Sequence, residues 1–502
     1  MAESFLKSIG ASVLWRGLNY LAGLAKHIVI AAAIGLSAQL DVFYMAMALL
    51  GVLVFSWAGL LDIMAVPDMV RAWRENRHEE FRRIASGLFS LVLAGSAALA
   101  LTLCFAWGEI ANVAMGFDQG RKELLAQAIP WLLPAVLLYI PLRFIGSVLR
   151  AIRKFSLFYQ AEFSIALVVL ICVLSCEDAH VLLWSFSAGV SVAFLFLLFA
   201  ARRHLFPLSS PFSPVVLRSL NMAPGLLLLQ CAGYVFVLSD RIFVSFLPEG
   251  AVSALAYGAT LVALLPNAVS LNGAFITVAA EHGSREKRAE YLNDLVSAAI
   301  YLGVGATVFM LTAGEGIVQT LFERGMFTAG DTQNVARAIS AYAWMILPLF
   351  LIGSVEQIFQ VERRIGPMVW RVVLGMLVNV ALNAWFLFGL GWGLHGVALA
   401  TAIAYWIMLL ASLNALKRQG YILEKRRHLC WLGWNALFLA IVPAGFHVLP
   451  PFLRSGITGV CAAALLAGGA MLVAGLAWRG NEQKLLTAAI RRTRSGFRFA
   501  KD

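Results

Sequence analysis

Three polar residues lie in the first long apolar segment of the chain, at spacings that place them near one face of a helix. Asn19 and Lys26 are seven residues apart, which is two helical turns, and Arg16 lies one turn before Asn19. An ionisable side chain at the bilayer centre costs roughly 2.5 to 3.5 kcal/mol unless a partner or water meets it. This cationic stripe suits an anionic cargo such as a pyrophosphate. For Arg16 the alternative is extension to the inner membrane interface.

A second set of polar residues offers only oxygen ligands. Asn379 and Asn383 are four residues apart and share one helical face, while Thr401 and Asp240 lie in two other apolar segments. Amide, hydroxyl and carboxylate oxygens together suit a hard monovalent cation, so this set is a candidate Na+ site. The alternative is hydrogen bonding between membrane helices, which the sequence leaves open.

Other charged residues in the apolar segments have a structural interpretation beside a functional one. Asp41 opens the second apolar segment, where it serves either in gating and cargo binding or as the N-cap of its own helix. Asp240 and Arg241 are adjacent, do not face each other on a helix, and therefore need separate partners. Isolated interfacial carboxylates are expected at three further positions: Glu162, Glu315 and Glu356.

Nothing in the sequence indicates catalysis. The 8 His and 6 Cys residues are scattered, with no HExxH motif and no Cys/His cluster at metal-ligand spacing. We therefore expect a protein that is not an enzyme, without catalytic residues and without a cofactor other than the candidate Na+ ion.

The elements that position these residues are predicted to be membrane-spanning helices. Hydrophobic residues make up 61% of the chain and charged residues 13%, with a mean hydropathy of +0.82. A spanning helix needs about 20 apolar residues, and the pattern predicts an all-α, polytopic membrane protein with 14 transmembrane helices. The predicted spans are 8–34, 39–66, 84–107, 123–148, 156–176, 181–201, 219–246, 252–280, 293–323, 334–360, 371–390, 395–416, 429–449 and 456–478.

Basic residues set the predicted orientation. With both termini in the cytoplasm, most of the 39 Lys and Arg residues fall on the cytoplasmic side, as the positive-inside rule requires. Four lie in external connectors: Arg121, Lys122, Arg324 and Arg454. The net charge of +12 therefore lies beside membrane ends, where anionic lipids and not nucleic acid are the expected partner. We expect a multi-pass protein of the bacterial inner membrane.

A weak internal repeat suggests duplication. The stretch GLSAQLDVFYMAMALL from Gly35 is similar to GAVSALAYGATLVALL from Gly250, as in transporters built from two repeats. We predict an N-terminal lobe of helices one to six (1–218) and a pseudo-symmetric C-terminal lobe of helices seven to twelve (219–428). Helices thirteen and fourteen (429–478) and a basic cytoplasmic tail (479–502) follow.

Several strings resemble signatures of one transporter family. They are LFERGMFTAGDT from Leu321, GVALATAIAYW from Gly396, SFLPEGAVSALAY from Ser245 and GLAKHIVIAAAIGLSAQLDVFYMA from Gly23. All are similar to segments of the MurJ (MviN) family, the lipid II flippases of the multidrug/oligosaccharidyl-lipid/polysaccharide exporter superfamily. The resemblance covers nearly the whole chain. It implies 14 helices, two six-helix lobes around a cationic central cavity, and a groove for a polyprenyl tail at helices thirteen and fourteen.

The resemblance also implies roles for individual residues. Lys26 stands at a family arginine position and keeps its charge, and Asp41 is retained. Tyr20 and Thr260 replace two family arginines, and no basic residue lies near Val54 to Trp57, where a third is expected. For the cation, three residues match sodium-ligand positions and Asn383 replaces a carboxylate; the three are Asp240, Asn379 and Thr401.

These observations predict a flippase that moves a polyprenyl-pyrophosphate-linked glycan by alternating access, with Arg16, Asn19, Lys26 and Asp41 as cargo-binding residues. The reduced arginine set favours an exopolysaccharide repeat unit or another lipid-linked oligosaccharide over lipid II. Expected partners are that glycan, membrane lipids and the machinery of glycan synthesis and polymerisation. The alternatives are a cation-coupled multidrug exporter of the same superfamily and a membrane glycosyltransferase or polymerase.

Overall fold

The structure is a computed structural model that describes residues 2–176, 178, 180–210, 223–268, 285–362 and 364–477. Some side chains within these ranges, that of Arg16 among them, lie outside the description. The described residues form helices joined by short connectors, with no β-strand among them. The all-α prediction is confirmed.

Seventeen α-helices are described. In the first half of the chain they are α1 (Ala2–Ile34), α2 (Ala38–Leu50), α3 (Ser56–Arg74), α4 (His78–Ala111), α5 (Gln119–Ala126), α6 (Ile129–Ala151), α7 (Phe155–Ser175), α8 (Val181–Leu205) and α9 (Ala223–Val244). In the second half they are α10 (Ala251–Ala268), α11 (Arg285–Phe322), α12 (Ala329–Tyr342), α13 (Ile346–Val361), α14 (Ile365–Ala384), α15 (Gly393–Arg418), α16 (Lys425–Val448) and α17 (Gly456–Ala477).

Within the described residues, 12 helical stretches are long and apolar enough to cross a membrane. They coincide with the predicted spans one to six and nine to fourteen. The predicted spans seven and eight correspond to α9 and α10, which both border residues outside the description. The count of 14 therefore stays a prediction. The predicted lobe boundary at 218 and the tail 479–502 also fall outside the described residues.

The chain divides into two compact units. The N-terminal unit comprises Met1–Ser253 together with Arg324–Thr328, and the C-terminal unit comprises Ala254–Glu323 and Ala329–Asp502. In the N-terminal unit α1 packs along α7, and α6 packs against α4 and α8. In the C-terminal unit the long α11 packs against α13, α16 and α17.

A polar ladder on α11 holds the two last helices of the C-terminal unit. Asn293, Ser297 and Tyr301 recur every four residues and so share one face. Asn293 Oδ1 lies 2.8 Å from His428 Nε2, and the Trp431 indole N–H donates to the Ser297 carbonyl at 3.0 Å. The Tyr301 hydroxyl donates to a carbonyl of α17 at 2.8 Å. Such bonds replace the hydrophobic driving force that lipid removes between membrane helices.

Candidate functional site

Lys26 lies in the middle of Gly17–Ile34, the part of α1 that is long and apolar enough to cross a membrane. Its side chain is half-buried. Among the side chains that the structure describes, no carboxylate forms an ion pair with it. The next residue, His27, has its Nδ1 3.4 Å from the Tyr44 hydroxyl, which ties α1 to α2. A cation at this depth requires water or an anionic ligand.

Asn19, one turn from Arg16, belongs to an ion-pair cluster that the sequence did not reveal. The Asn19 amide donates to Glu162 Oε2 at 3.1 Å, and Arg143 Nη1 lies 2.6 Å from Glu162 Oε1. Glu162 of α7 therefore joins α1 to α6. The Arg16 backbone continues α1, while its side chain lies outside the description.

The expectation of isolated interfacial acids is wrong for Glu162 and Glu356. Glu162 pairs with Arg143, and Glu356 of α13 pairs with Arg371 of α14, whose side chain is buried. The signal that could have found both pairs is the arginine itself, since a guanidinium inside an apolar span demands a counter-ion.

Asp41 is fully buried, and its carboxylate caps a helix other than its own. Its oxygens accept the backbone N–H groups of Gly250 and Ser253, each at 2.8 Å, and the Ser253 hydroxyl at 2.7 Å. These donors stand at the start of α10, where an anion is stabilised. Gly250 has a φ of +87°, which favours glycine. The N-cap of α2 is Ser37, so the alternative that Asp41 caps α2 is wrong.

Arg121, predicted in an external connector, folds back onto Asp41. Its Nη1 lies 3.4 Å from Asp41 Oδ2, and the residue is buried. Asp118 caps α5 by accepting the Arg121 backbone N–H at 2.8 Å, and this hydrogen bond lowers the pKa of the Asp118 carboxyl. The role of Asp41 as a cargo ligand stays a prediction, since the contacts described here are all internal to the N-terminal unit.

The structure brings together three of the four predicted cation ligands. In the C-terminal unit the Asn379 amide donates to the Thr401 hydroxyl at 3.1 Å, and the Asn383 amide donates to Asn379 Oδ1 at 3.1 Å. All three side chains are buried. The fourth, Asp240, is buried on α9 of the N-terminal unit. The cluster joins α14 to α15, as the alternative of interhelical hydrogen bonding also predicts.

Arg241, next to Asp240, has the separate partner that its position requires. Its guanidinium donates to the Tyr44 carbonyl and lies 5.5 Å from the centre of the Tyr44 ring. It thereby connects α9 to α2 within the N-terminal unit.

The family described as "Lipid II flippase MurJ" matches residues 30–456, which is most of the chain. This chain belongs to the MurJ family. A curated relative, the probable lipid II flippase MurJ of Thermotoga maritima, is 22% identical over 80% of this chain and 83% of its own length. A second, from Rickettsia prowazekii, is 26% identical over 52% of this chain and 54% of its own length. MurJ family members are transporters and not enzymes, and the chain is a multi-pass membrane protein.

Solved structures share the fold. A lipid II flippase MurJ in an inward closed conformation is similar to this chain with a TM-score of 0.77 and 18% identity, over 93% of this chain and 98% of that one. A multidrug resistance MATE family transporter of the MOP superfamily gives a TM-score of 0.62 at 12% identity, over 84% and 95%. The MurJ-like fold expected from the sequence is confirmed.

Three of the strings that resemble MurJ signatures meet in the N-terminal unit. The Ala38 N–H donates to the Glu249 carboxylate at 2.6 Å, in addition to the bonds from Asp41 to the start of α10. The Met326 N–H donates to the Ala32 carbonyl at 2.8 Å. The resemblance to the family therefore includes turns that are hydrogen-bonded to one another and is not confined to runs of apolar residues.

Proposed function

We propose that this protein is a lipid flippase of the inner membrane that moves lipid II, a polyprenyl-pyrophosphate-linked glycan, from the cytoplasmic to the external leaflet by alternating access. The family match over residues 30–456 supports this proposal, as do the lipid II flippases among its relatives. Both termini would lie in the cytoplasm.

The observation that carries the proposal is the position of Lys26 in the middle of an apolar span. Moving a charged headgroup through hydrocarbon without help is prohibitive, because its hydration is lost. A half-buried ammonium supplies the opposite charge for the pyrophosphate while the polyprenyl tail stays in lipid. Asn19 lies two turns away on the same helix and Arg16 one turn further, so both are assigned to the path of the headgroup.

Na+ is the proposed coupling ion, and the residues fit it in part. Asn379, Asn383 and Thr401 provide two amide oxygens and a hydroxyl in one buried cluster. The Asn383 amide donates to Asn379 Oδ1 in this structure, so the Asn383 side chain must turn away before Asn379 Oδ1 can face a cation. Bound Na+ would add a charge to this cluster, and its binding would favour one conformation of the C-terminal unit over another.

An exopolysaccharide repeat unit is the second candidate cargo. Tyr20 and Thr260 stand at two positions where the resemblance implies arginine. A protein with fewer cationic side chains along the cargo path favours a cargo whose headgroup carries fewer anionic groups. Both cargoes carry the same polyprenyl pyrophosphate, so Lys26 has the same role for each.

Transport in proteoliposomes separates the two cargoes. The purified protein would be reconstituted with fluorescent lipid II or with a polyprenyl-pyrophosphate-linked exopolysaccharide repeat unit, and the labelled headgroup exposed on each side would be measured. Translocation of lipid II supports the primary proposal. Translocation of the repeat unit alone would transfer the function to exopolysaccharide export, and translocation of neither would contradict both.

A further inference from the structure

Two arginines of α6 flank one aromatic ring of α7. Arg143 and Arg150 are seven residues apart and so lie on one face of α6. Their guanidinium carbons are 4.8 and 4.7 Å from the centre of the Phe158 ring. Gly146 lies between them, and a Cβ there would approach Phe158 Cδ2 to 2.4 Å. The missing side chain at Gly146 is what lets the ring enter between the two cations.

One carboxylate accompanies these two cations in the cluster. Glu162 pairs with Arg143, and the side chains are 30% and 24% exposed, respectively. Arg143, Glu162 and Phe158 line a cavity of about 40 Å³, enough room for a few water molecules. The ion pair borders this cavity and keeps part of its surface exposed, so a more highly charged anion can compete with the carboxylate for Arg143.

The cluster lies near the connector between α6 and α7. Arg150 is one residue from the end of α6, and Arg143 is about 12 Å from that end at 1.5 Å per residue. In the orientation predicted from the basic residues, this end faces the cytoplasm, where a lipid-linked cargo would enter. Asn19 brings α1 to the same carboxylate.

We propose that Arg143 and Arg150 form a phosphate-binding station for the pyrophosphate of the cargo, with Glu162 as the internal counter-ion that the phosphate replaces. The inference rests on the proposed function. Guanidinium groups bind phosphate oxygens in a bidentate manner, which a lysine does not.

Binding of farnesyl diphosphate to the full-length protein tests the station. The protein would be held in phosphatidylcholine nanodiscs and its Kd measured for wild type and variants. Arg143→Gln and Arg150→Gln are expected to weaken binding about tenfold, the loss of one charge-assisted hydrogen bond. Glu162→Gln is expected to tighten binding, because the competing carboxylate is gone.

Arg202→Gln is the matched control. Arg202 also lies over an aromatic ring, at 3.9 Å from the centre of Phe199, but belongs to α8 outside the cluster. Its replacement should leave the Kd unchanged. A purely structural ion pair would instead make Arg143→Gln and Glu162→Gln change the Kd in the same direction, which would overturn the proposal, as would wild-type binding by Arg143→Gln.

Anionic lipid headgroups offer the same phosphate chemistry, so the measurement is repeated in nanodiscs containing phosphatidylglycerol. Persistence of the Arg143 effect supports a cargo site, whereas its disappearance would show that membrane phosphate fills the station and would overturn the assignment to cargo. Failure of this proposal and failure of the flippase proposal give different results. If diphosphate binding depends on Arg143 but the protein does not translocate lipid, the flippase proposal fails and the phosphate-binding station stands. If the protein translocates lipid but binding does not depend on Arg143, the station fails and the flippase proposal stands.

Discussion

A lysine in the middle of an apolar helix is stable only if water or an anion meets its charge, and Lys26 is such a residue. We predict that Lys26→Ala abolishes translocation of lipid II in proteoliposomes, while Lys26→Arg retains it because the positive charge remains. Reconstitution yield and thermal unfolding of the variants would be matched first. Full translocation by Lys26→Ala would remove Lys26 from the cargo path.

Asp41 is a structural acid in the contacts described, and its replacement should reduce stability. Asp41→Asn substitutes an amide for a buried carboxylate that receives three hydrogen bonds and a guanidinium. We expect a loss of about 3 kcal/mol in the free energy of unfolding, as for other broken buried ion pairs. Thermal unfolding of the purified protein would measure it.

The control for that prediction is Asp118→Asn. Asp118 contacts the same Arg121, at 3.3 Å, but its side chain is 62% exposed, so its replacement should change stability little. If both variants unfold like wild type, Asp41 does not hold the start of α10 as the structure indicates.

The cation proposal also has a residue-scale test. The rate of translocation by Asn379→Ala should be the same in Na+ as in K+, because the substitution deletes the central amide of the cluster. Ser412→Ala is the control, since Ser412 is buried on the same α15 as Thr401 and, among the described residues, its hydroxyl donates to the Met408 carbonyl of its own helix. Equal loss of Na+ dependence in both variants would argue against a site at Asn379.

How much of the site the sequence could predict depends on whether residues meet through helical spacing or through tertiary packing. Asn379 and Asn383 share a face by spacing alone, and the structure joins them by a hydrogen bond. Arg143 and Glu162 lie on two helices whose rotation the apolar pattern leaves undetermined, so their ion pair was missed. The ion pair of Arg121 with Asp41 was missed for the same reason, since 80 positions separate the two residues in the sequence.

At the scale of elements, hydrogen bonds from polar residues add to apolar packing in holding α16 against α11. Asn293 receives the Glu424 N–H at 3.0 Å and lies 2.8 Å from His428. We predict that Asn293→Ala lowers the free energy of unfolding by about 1 to 3 kcal/mol, since buried donors are left without an acceptor. Limited proteolysis between α15 and α16, near Gly420, should become faster.

Thr458→Ala is the matched change for that experiment. Thr458 is exposed on α17 and donates to a carbonyl three residues earlier. Its replacement should leave the rate of proteolysis unchanged. Cleavage of Asn293→Ala at the wild-type rate would contradict the role of the polar ladder on α11.

Long apolar helices were the predictable elements, because length and composition alone identify them. Short elements were not. The predicted fourth span began at residue 123, whereas α5 occupies Gln119–Ala126 and α6 begins at Ile129. The cause is local: Asp118 caps α5, so the chain forms a separate short helix before it enters the span.

At the scale of the whole molecule, the predicted orientation can be tested at two connectors. An alkaline phosphatase reporter inserted at Gly391, between α14 and α15, should be active because that connector is predicted outside. A reporter at Gly420, between α15 and α16, should be inactive because the basic connector there is predicted in the cytoplasm. The reverse pattern would invert the topology and with it the direction of the cargo path.

The most direct measurement of the central claim is complementation in cells depleted of their own lipid II flippase. Survival and the exposure of lipid II on the external face would be scored together, with membrane expression verified by immunoblot. The predicted result is rescue by the wild-type protein, which means that Lys26 and the arginines of this chain suffice for lipid II. Failure to rescue at matched expression would contradict lipid II as the cargo.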